Sequence, residues 1–494
     1  MKYISTRGNG QSLESAEAII AGLAEDGGLF VPETIPQVNM DFITGLTAMT
    51  YQERAVAVLS QFLTDYTAEE LQGCVSRAYG SNKFDSEAIA PLNIMGDDAV
   101  LELWHGPTSA FKDMALQLLP QLLSTALKKT GEKHEILILV ATSGDTGKAA
   151  LEGFKDVDQI KIMVFYPENG VSRIQRLQMT TQQGNNVAVV AVKGNFDDAQ
   201  SGVKRIFGNK EFAAELDKQG VALSSANSIN WGRLVPQIVY YFSSYAELLK
   251  AGKIKAGEEI SFTVPTGNFG DILAGYYAKL MGLPVKKLIC ASNTNNVLTD
   301  FLKTGVYDRQ REFFKTISPS MDILISSNLE RLLYHITGDA KLVAQWMQQL
   351  AEKGRYDVGS EVLAKIQAVF GGDWADDAVT KETIGKVFKE KKYVLDTHTA
   401  VAWDGAKHYE ATGAEEKMVV VSTASPYKFN ESVLTALGET IGDEDEFQLL
   451  DKLQNISGMA IPAGLAALKT SEIKHKQVVE KQEMDAAVLA FAKQ

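Results

Sequence analysis

From residue 100 onward, short apolar runs alternate with polar loops and amphipathic stretches. Runs of four to eight residues rich in Val and Ile are typical of strands buried on both faces. The pattern predicts strands at 136–140, 160–165, 187–192, 260–264, 288–291 and 418–421, and helices at 148–154, 172–182, 270–281 and from about 197. This alternation predicts an α/β fold whose sheets are mostly parallel.

The first 95 residues follow a different pattern, mostly helical, with a proline-containing segment at 30–36 between helices. A chain of 494 residues is too long for one ordinary core. We therefore expect an N-terminal portion at 1–95, a smaller and mobile α/β domain at 96–220 and a larger α/β domain at 221–494. Residues 300–395 are helix-rich, and the pattern does not place this insertion in a sheet.

Composition narrows the possible partners and locations. The formal net charge of −13 disfavours nucleic acid and anionic membranes as partners. The first residues lack the apolar core of a signal peptide, and no apolar run approaches the length that spans a membrane, so a cytoplasmic location is expected. Cys74 and Cys290 form neither a disulfide framework nor a metal-binding pattern, and no metal site is expected. We expect a small-molecule substrate and a monomer or homodimer.

Three loops rich in glycine or hydroxyl groups follow predicted strands, at 141–147, 265–271 and 422–426. Ligands of open parallel sheets bind at the carboxyl ends of the strands, where such loops meet. The three loops therefore predict one composite site.

Lys112 lies in the segment His105-Gly-Pro-Thr-Ser-Ala-Phe-Lys-Asp113, close to the start of a predicted helix. The helix dipole and burial beside Phe111 would both lower the pKa of its amine, as Schiff-base chemistry requires. A solvated lysine in a first helical turn is the more common explanation of such a residue taken alone.

The loop Pro265-Thr-Gly-Asn-Phe-Gly-Asp271 joins a strand to a helix. Its glycines and the free N–H groups of the helix start suit a phosphate, and Asp271 is expected to cap its own helix. An ordinary glycine turn is an equally good explanation of the loop alone.

The loop Ala141-Thr-Ser-Gly-Asp-Thr-Gly-Lys148 resembles a nucleotide P-loop only at its end. Thr142 stands where the first glycine is required, and Ala149 where Ser or Thr is required. Its hydroxyl and N–H groups suit a carboxylate, although a generic turn explains the loop equally well.

Two further segments offer polar groups. Ser224-Ser-Ala-Asn-Ser-Ile-Asn-Trp-Gly-Arg233 precedes an amphipathic stretch, and Arg233 could bind phosphate oxygens bidentately. A capped helix start with a surface arginine is the alternative. Ser422-Thr-Ala-Ser-Pro426 follows a strand and offers hydroxyl groups for a ring nitrogen.

Taken in order, these segments resemble the threonine synthase family, within the fold type II (tryptophan synthase β) group of pyridoxal phosphate (PLP) enzymes. The resemblance rests on Phe111-Lys-Asp113, Ser143-Gly-Asp-Thr-Gly147, Asn227-Ser-Ile-Asn230 and Gly267-Asn-Phe-Gly-Asp271, and on the opening Lys2-Tyr-Ile-Ser-Thr-Arg-Gly8. It runs from residue 1 to about 430. It implies two open α/β/α domains and conversion of O-phospho-L-homoserine and water into L-threonine and phosphate.

The resemblance also implies roles for single residues. Lys112 would hold PLP as a Schiff base, and Thr423 would bond the pyridine nitrogen. Asp145 stands where related enzymes often have an asparagine near the 3′-oxygen. The cup for the cofactor phosphate would be Gly267, Asn268, Phe269, Gly270 and Asp271. The substrate would be held by Thr142, Ser143 and Thr146 at its carboxylate and by Asn227, Ser228, Arg233 and Lys148 at its phosphate.

The sequence departs from the family pattern at Ser425, where histidine is usual, and at Thr397, where proline is common. Two alternatives stay open. One is a serine or threonine dehydratase of the same fold, against which the Arg233 segment and the N-terminus argue. The other is a non-catalytic relative that binds ligand, against which an intact Lys112 argues.

Overall fold

The computed structural model describes residues 1–8, 10–142, 144–168 and 171–494. The strands are β1 Lys2–Ser5, β2 Ser12–Glu14, β3 Phe30–Pro32, β4 Leu92–Met95, β5 Asp98–Glu102, β6 Glu135–Ala141, β7 Ile160–Pro167, β8 Val187–Lys193, β9 Val221–Ser224, β10 Ile260–Pro265, β11 Val285–Ser292, β12 Val306–Asp308, β13 Arg355–Asp357, β14 Phe370–Trp374, β15 Lys417–Ser422 and β16 Gln477–Glu480.

The helices of the N-terminal half are α1 Ser15–Ala21, α2 Met40–Gly45, α3 Tyr51–Phe62, α4 Ala68–Ala78, α5 Lys112–Leu116, α6 Leu119–Thr130, α7 Asp145–Phe154, α8 Arg173–Thr180, α9 Phe196–Gly208, α10 Lys210–Asp217 and α11 Trp231–Lys250. Those that follow are α12 Gly270–Met281, α13 Val297–Thr304, α14 Leu329–Thr337, α15 Ala340–Lys353, α16 Gly359–Val369, α17 Asp377–Lys391, α18 Thr397–Glu410, α19 Asn430–Ala436, α20 Glu446–Ser457, α21 Ala463–Ala466 and α22 Met484–Ala492. Within the described residues, no helix is both long and apolar enough to span a membrane.

Two sheets organise these elements. The larger has the order β14-β11-β10-β15-β5-β4 and is parallel except for the β4–β5 hairpin. The smaller has the order β16-β8-β7-β6-β9 and is parallel throughout. The central strands β6, β7 and β10 are buried along nearly their whole length, which explains their continuous apolar runs. The six predicted strands and the α/β fold class are confirmed.

Sheet membership does not follow the predicted division of the chain. Strand β5, which lies in the predicted 96–220 segment, pairs with β15 in the larger sheet. Strands β9 and β16 lie in the predicted 221–494 segment but belong to the smaller sheet. The chain therefore enters the larger sheet before it builds the smaller one and returns to the smaller sheet at its end. The domain limits themselves stay a prediction.

The N-terminal portion combines α1–α4 with a small antiparallel sheet, β2-β1-β3. The 30–36 segment is therefore partly a strand, β3, which the helical prediction missed. An aromatic cluster holds this portion to α11 and α12, with the ring of Trp231 centred 5.3 Å from Tyr3, 5.5 Å from Phe62 and 5.3 Å from Tyr277. Such tilted and edge-on pairs add to the stabilisation from buried area.

The insertion at 300–395 contributes to the larger sheet. Strand β14 lies parallel to β11, with Leu288 opposite Phe370 and Ser292 opposite Trp374. The other elements of the insertion include α14–α17 and the β12–β13 pair. Between β12 and α14 the chain runs along the carboxyl ends of the larger sheet's strands, where the candidate site lies.

Candidate active site

Lys112 is the first residue of α5, and the loop before it is fixed to the end of β15. The Phe111 N–H donates to the Thr423 carbonyl (2.8 Å), and the Ser425 N–H donates to the Ser109 carbonyl (3.0 Å). The buried carboxylate of Asp113 accepts from the N–H (2.8 Å) and hydroxyl (2.7 Å) of Thr108. The loop that ends at Lys112 is thus hydrogen-bonded to the loop that carries Thr423.

The amine of Lys112 lies in a polarised, mostly desolvated environment. Its Nζ is 3.5 Å from Ser320 Oγ and 5.1 Å from the centre of the Phe111 ring. Burial lowers the pKa of Lys112, opposed by the carboxylate of Asp145 and reinforced by the positive charge of Arg233. A lowered pKa leaves more of the amine neutral, the form that attacks carbonyl carbons and takes protons.

The 266–270 loop forms a cradle before α12. Phe269 has a φ of 63° and no side-chain cap on the helix, so no side chain at this position occupies the first-turn N–H groups. A Cβ at Gly267 would lie 2.7 Å from the Ser320 carbonyl oxygen, so only glycine fits there. Ser326 Oγ donates to the Gly267 carbonyl (2.8 Å) and Asn328 Nδ2 to the Asn268 carbonyl (3.1 Å). An uncapped helix start beside a glycine is a ready anion site.

Asp271 does not cap its own helix, so this part of the prediction was wrong. Its carboxylate lies against α11 and accepts from the hydroxyls of Tyr240 (2.7 Å) and Tyr241 (2.8 Å). Burial raises the pKa of Asp271 to about 6. The carboxylate bonds to the tyrosines and not to the backbone N–H groups of its helix, because a buried carboxylate needs donors and the two hydroxyls supply them.

The 141–148 loop is organised by Thr142. Its Oγ1 accepts from the N–H groups of Gly144 (3.0 Å) and Gly147 (3.1 Å), so the hydroxyl shapes the loop and does not face a ligand. Ser143 lies outside the described residues, and Thr146 is partly exposed in the first turn of α7. The predicted role of Thr142 in binding the substrate carboxylate through its hydroxyl is therefore not supported.

Lys148 is engaged by side chains of its own surroundings. Its Nζ donates to Gln182 Oε1 (2.5 Å) and Glu152 Oε2 (3.3 Å), the latter one helical turn further along α7. A carboxylate at i+4 is a natural partner for a helical lysine. The role of Lys148 in binding substrate phosphate therefore stays a prediction, and it would require the ammonium to leave Gln182 and Glu152.

Asp145 forms a buried ion pair that the sequence did not predict. Lys428 Nζ, on the 3₁₀ turn after β15, lies 2.8 Å from Asp145 Oδ1. Lys428 also donates to Gln178 Oε1 (2.8 Å) and to the Thr108 carbonyl (3.3 Å). Burial would raise the pKa of Asp145, but the ammonium groups of Lys428 and Lys112 outweigh it and hold that pKa well below its usual range. Asp145 is therefore a buried carboxylate close to Lys112.

Arg233 is buried in the first turn of α11, and no carboxylate of the described part of the chain pairs with it. It is 4% exposed, and its Nη1 donates to the Ala226 carbonyl (2.5 Å). Its Nε has no hydrogen-bond partner among the described residues, and burial lowers the pKa of Arg233 to about 10. The positive charge of Arg233 also lowers the pKa of Lys112, so the two side chains are close enough to interact electrostatically. A buried guanidinium with an unused donor is suited to an anion.

The two other predicted phosphate ligands differ in placement. Asn227 is exposed. Ser228 is partly buried, with its Oγ 3.3 Å from Ser327 Oγ and its carbonyl accepting from Asn328 Nδ2 (3.2 Å). Asn328 thereby joins the 226–230 loop to the cradle at Asn268.

Sequence reasoning missed four residues of this region, namely Ser320, Asn328, His398 and Lys428. His398 lies two residues after Asp396 in the segment Asp396-Thr-His-Thr399, which matches no motif that would indicate a role for the histidine. Ser320 and Asn328 lie in the insertion that the pattern could not place. A lysine two residues after the 422–426 loop gave no signal that it would be buried.

The site therefore offers a lysine with a lowered pKa, an uncapped helix start behind a glycine that cannot be replaced, and a buried arginine with an unused donor. These features fit a phosphorylated aldehyde and an anionic substrate. With the two mostly parallel sheets, they are the features expected of a pyridoxal-phosphate dependent enzyme of fold type II.

Comparisons with known proteins identify the family. Family models described as "Threonine synthase N terminus", "Pyridoxal-phosphate dependent enzyme" and "Threonine synthase, C-terminal" match residues 2–79, 100–373 and 399–487. Threonine synthase of Pseudomonas aeruginosa is 41% identical, covering 88% of this chain and 90% of that protein. The chain belongs to the threonine synthase family.

Two further comparisons agree. The crystal structure of PLP-bound threonine synthase from Brucella melitensis superposes with a TM-score of 0.89 at 38% identity, covering 100% of both chains. Threonine synthase-like 1 of Homo sapiens is 42% identical over 85% of this chain, and the chain spans only 58% of that relative's length.

Proposed function

We propose that the protein is a threonine synthase, which converts O-phospho-L-homoserine and water into L-threonine and phosphate with PLP as cofactor. The observation that carries the proposal is that Lys112, whose pKa is lowered by burial, interacts electrostatically with the buried Arg233, which has no carboxylate partner among the described residues. A dehydratase substrate has no phosphate, so it would provide no anionic partner for the guanidinium of Arg233.

The chain supplies groups for each part of the cofactor. Lys112 Nζ would bind the aldehyde carbon as a Schiff base, and the N–H groups at Gly267–Asp271 would hold the phosphate. Thr423 would lie at the pyridine nitrogen and Asp145 near the 3′-oxygen. When bound, PLP supplies an aldehyde that joins covalently to amines and a ring that accepts electrons from the bonds at Cα.

The residues then divide the work on the substrate. With substrate bound, the free amine of Lys112 would be the general base that takes the Cα proton. Arg233, with Ser228 and Asn227, holds the substrate phosphate until it leaves Cγ, and Thr146 and Ser143 hold the carboxylate. Closure of the smaller sheet over the site would exclude water until phosphate has departed, because early water would divert the reaction.

The direct test is product analysis. Purified protein with PLP and O-phosphohomoserine should release threonine and phosphate in equal amounts. Formation of 2-oxobutanoate as the main product would favour the dehydratase instead, and binding without any product would favour the non-catalytic relative.

Arg233 provides a second test. Arg233→Met should raise the KM for O-phosphohomoserine at least about 30-fold, since losing one partner of a buried charged contact costs about 2–5 kcal/mol. Cofactor affinity should change far less, and the exposed Arg205→Met should change neither quantity. Equal weakening of substrate and cofactor binding would remove Arg233 from the substrate site.

A further inference from the structure

The turn Pro319–Met321, within the 300–395 insertion, lies between Lys112, the cradle and a buried histidine. Ser320 contacts all three. Its Oγ is 3.5 Å from Lys112 Nζ, its N–H donates to His398 Nε2 (3.1 Å), and its carbonyl oxygen lies 2.7 Å from the position of a Cβ at Gly267. A change at Ser320 therefore acts directly on the amine of Lys112.

Buried polar contacts hold this turn in place. Asn293 Nδ2 donates to the Ser318 carbonyl (3.2 Å) and to Asp322 Oδ1 (2.8 Å). Asp322 Oδ1 also accepts from Thr316 Oγ1 (2.7 Å), and Met321 is 2% exposed. The turn is thus a rigid support, and the position of Ser320 does not depend on a flexible loop.

His398 fixes the orientation of Ser320 from the other side. Because its Nε2 accepts from a backbone N–H, its ring proton is on Nδ1, which lies 3.2 Å from Asp396 Oδ1. His398 is 2% exposed and its ring lies 4.7 Å from that of Phe429. The backbone N–H of Ser320 is therefore held by His398, while its hydroxyl accepts from Lys112.

The carboxylates near Lys112 have hydrogen-bonding partners of their own, although the charge of Asp145 also favours the ammonium of Lys112. Asp145 is paired with Lys428, and Asp113 accepts from Thr108. Arg233 and Lys428 repel a positive charge on Lys112. An ammonium at this position has three N–H donors to satisfy. Ser320 Oγ supplies a neutral acceptor for one of them.

We propose that Ser320 is a further catalytic residue, whose hydroxyl accepts a hydrogen bond from Lys112 Nζ while that group carries the proton taken from Cα. The proposal rests on the function proposed above. In this step the Cα–H bond breaks, an N–H bond forms on Nζ and the electron pair stays on the substrate side. The hydroxyl stabilises the charge that appears on Lys112 and keeps the ammonium aligned for returning the proton.

The experiment follows exchange of the Cα proton for deuterium by NMR in D₂O. The ligand is L-2-amino-5-phosphonopentanoate, in which a methylene replaces the ester oxygen so that phosphate cannot leave. In the PLP-loaded enzyme, Ser320→Ala should slow exchange about 10- to 100-fold, the loss expected for one hydrogen bond to a charged group. Ser320→Thr keeps the hydroxyl and should restore most of the rate, and Ser360→Ala, an exposed serine of the same insertion, should leave it unchanged.

A second readout needs neither PLP nor turnover. In the PLP-free protein, the pH dependence of Lys112 acylation by acetic anhydride, followed by mass spectrometry, reports when the amine becomes neutral. Without the Ser320 hydroxyl the ammonium loses an acceptor, so the midpoint should move to lower pH in Ser320→Ala and stay in place in Ser360→Ala. Should the alanine variant not fold, Ser320→Cys keeps the volume with a much weaker acceptor and gives the same comparison.

An exchange rate and an acylation midpoint both equal to wild type in Ser320→Ala would overturn the proposal. Slower exchange that Ser320→Thr does not restore would also overturn it, because the turn and not the hydroxyl would then be responsible. If the wild-type protein neither exchanges the proton nor forms threonine, the proposed function fails, and the acylation midpoint still decides whether Ser320 holds Lys112.

Discussion

Replacing Lys428 by methionine should destabilise the protein because it leaves a buried carboxylate without its counterion. The side chains of Lys428 and Asp145 are 0% and 4% exposed, and their charged atoms are 2.8 Å apart. Removing one partner of such a buried pair costs about 3–5 kcal/mol. Methionine fills similar volume, so the loss reflects charge more than a cavity.

The sign of the pH dependence follows from the pKa of Asp145. In the wild type this pKa lies below its unfolded value, so the stabilisation is present above about pH 4 and is lost only as pH falls through the folded-state pKa. In Lys428→Met the largest opposing charge is gone while that of Lys112 remains, so burial raises the folded-state pKa of Asp145 above its wild-type value. The variant should therefore be most destabilised at neutral pH and less so at pH 5, where the carboxyl can take a proton.

The assay is urea denaturation followed by tryptophan fluorescence at pH 7.5 and pH 5.0, with wild type and the exposed-site control Lys469→Met. We expect a loss of about 3–5 kcal/mol at pH 7.5 that shrinks at pH 5.0 for Lys428→Met only. An unchanged midpoint at pH 7.5, or a loss of equal size at both pH values, would show that Lys428 does not neutralise a buried charge on Asp145.

Two further predictions concern packing and pH. Gly153→Ala should cost about 1–3 kcal/mol and reduce bound cofactor, because the added Cβ would lie 1.9 Å from the Leu116 carbonyl oxygen at the end of the Lys112 helix; wild-type stability in urea denaturation would contradict it. Burial lowers the pKa of His335 to about 4, so its neutral form stabilises the fold above pH 6.5. About 3 kcal/mol should be lost as pH falls from 6.5 to about 4. The variant His335→Gln should lack this slope in denaturation midpoints, and an unchanged slope would be evidence against the assignment.

The strands of the two sheets were predictable where burial on both faces produced long apolar runs, as at 136–140 and 260–264. The edge strands were not predictable for the opposite reason. Strand β14 reads Phe-Gly-Gly-Asp-Trp, and β16 reads Gln-Val-Val-Glu with a mostly exposed pattern. Neither carries a periodic signal, and only pairing with β11 and β8 makes them strands.

The site divides in the same way. Local motifs singled out Lys112, Asp145 and Arg233. In the structure the charges of Asp145 and Arg233 both act on the pKa of Lys112. The partner of Asp145 and the group facing Lys112 could not be predicted, because Lys428 and Ser320 reach the site only through tertiary packing. Lys148 shows the converse. Its local motif suggested a residue that binds substrate, but in the structure its ammonium forms an ion pair with Glu152 on the same helix.

The assignment of Lys112 as the cofactor lysine is tested most directly by reducing the PLP-loaded protein with borohydride and sequencing its tryptic peptides by mass spectrometry. We expect one phosphopyridoxyl group, on Lys112. The same modification on another lysine such as Lys148 or Lys428, or a colourless protein with no modified lysine, would contradict it.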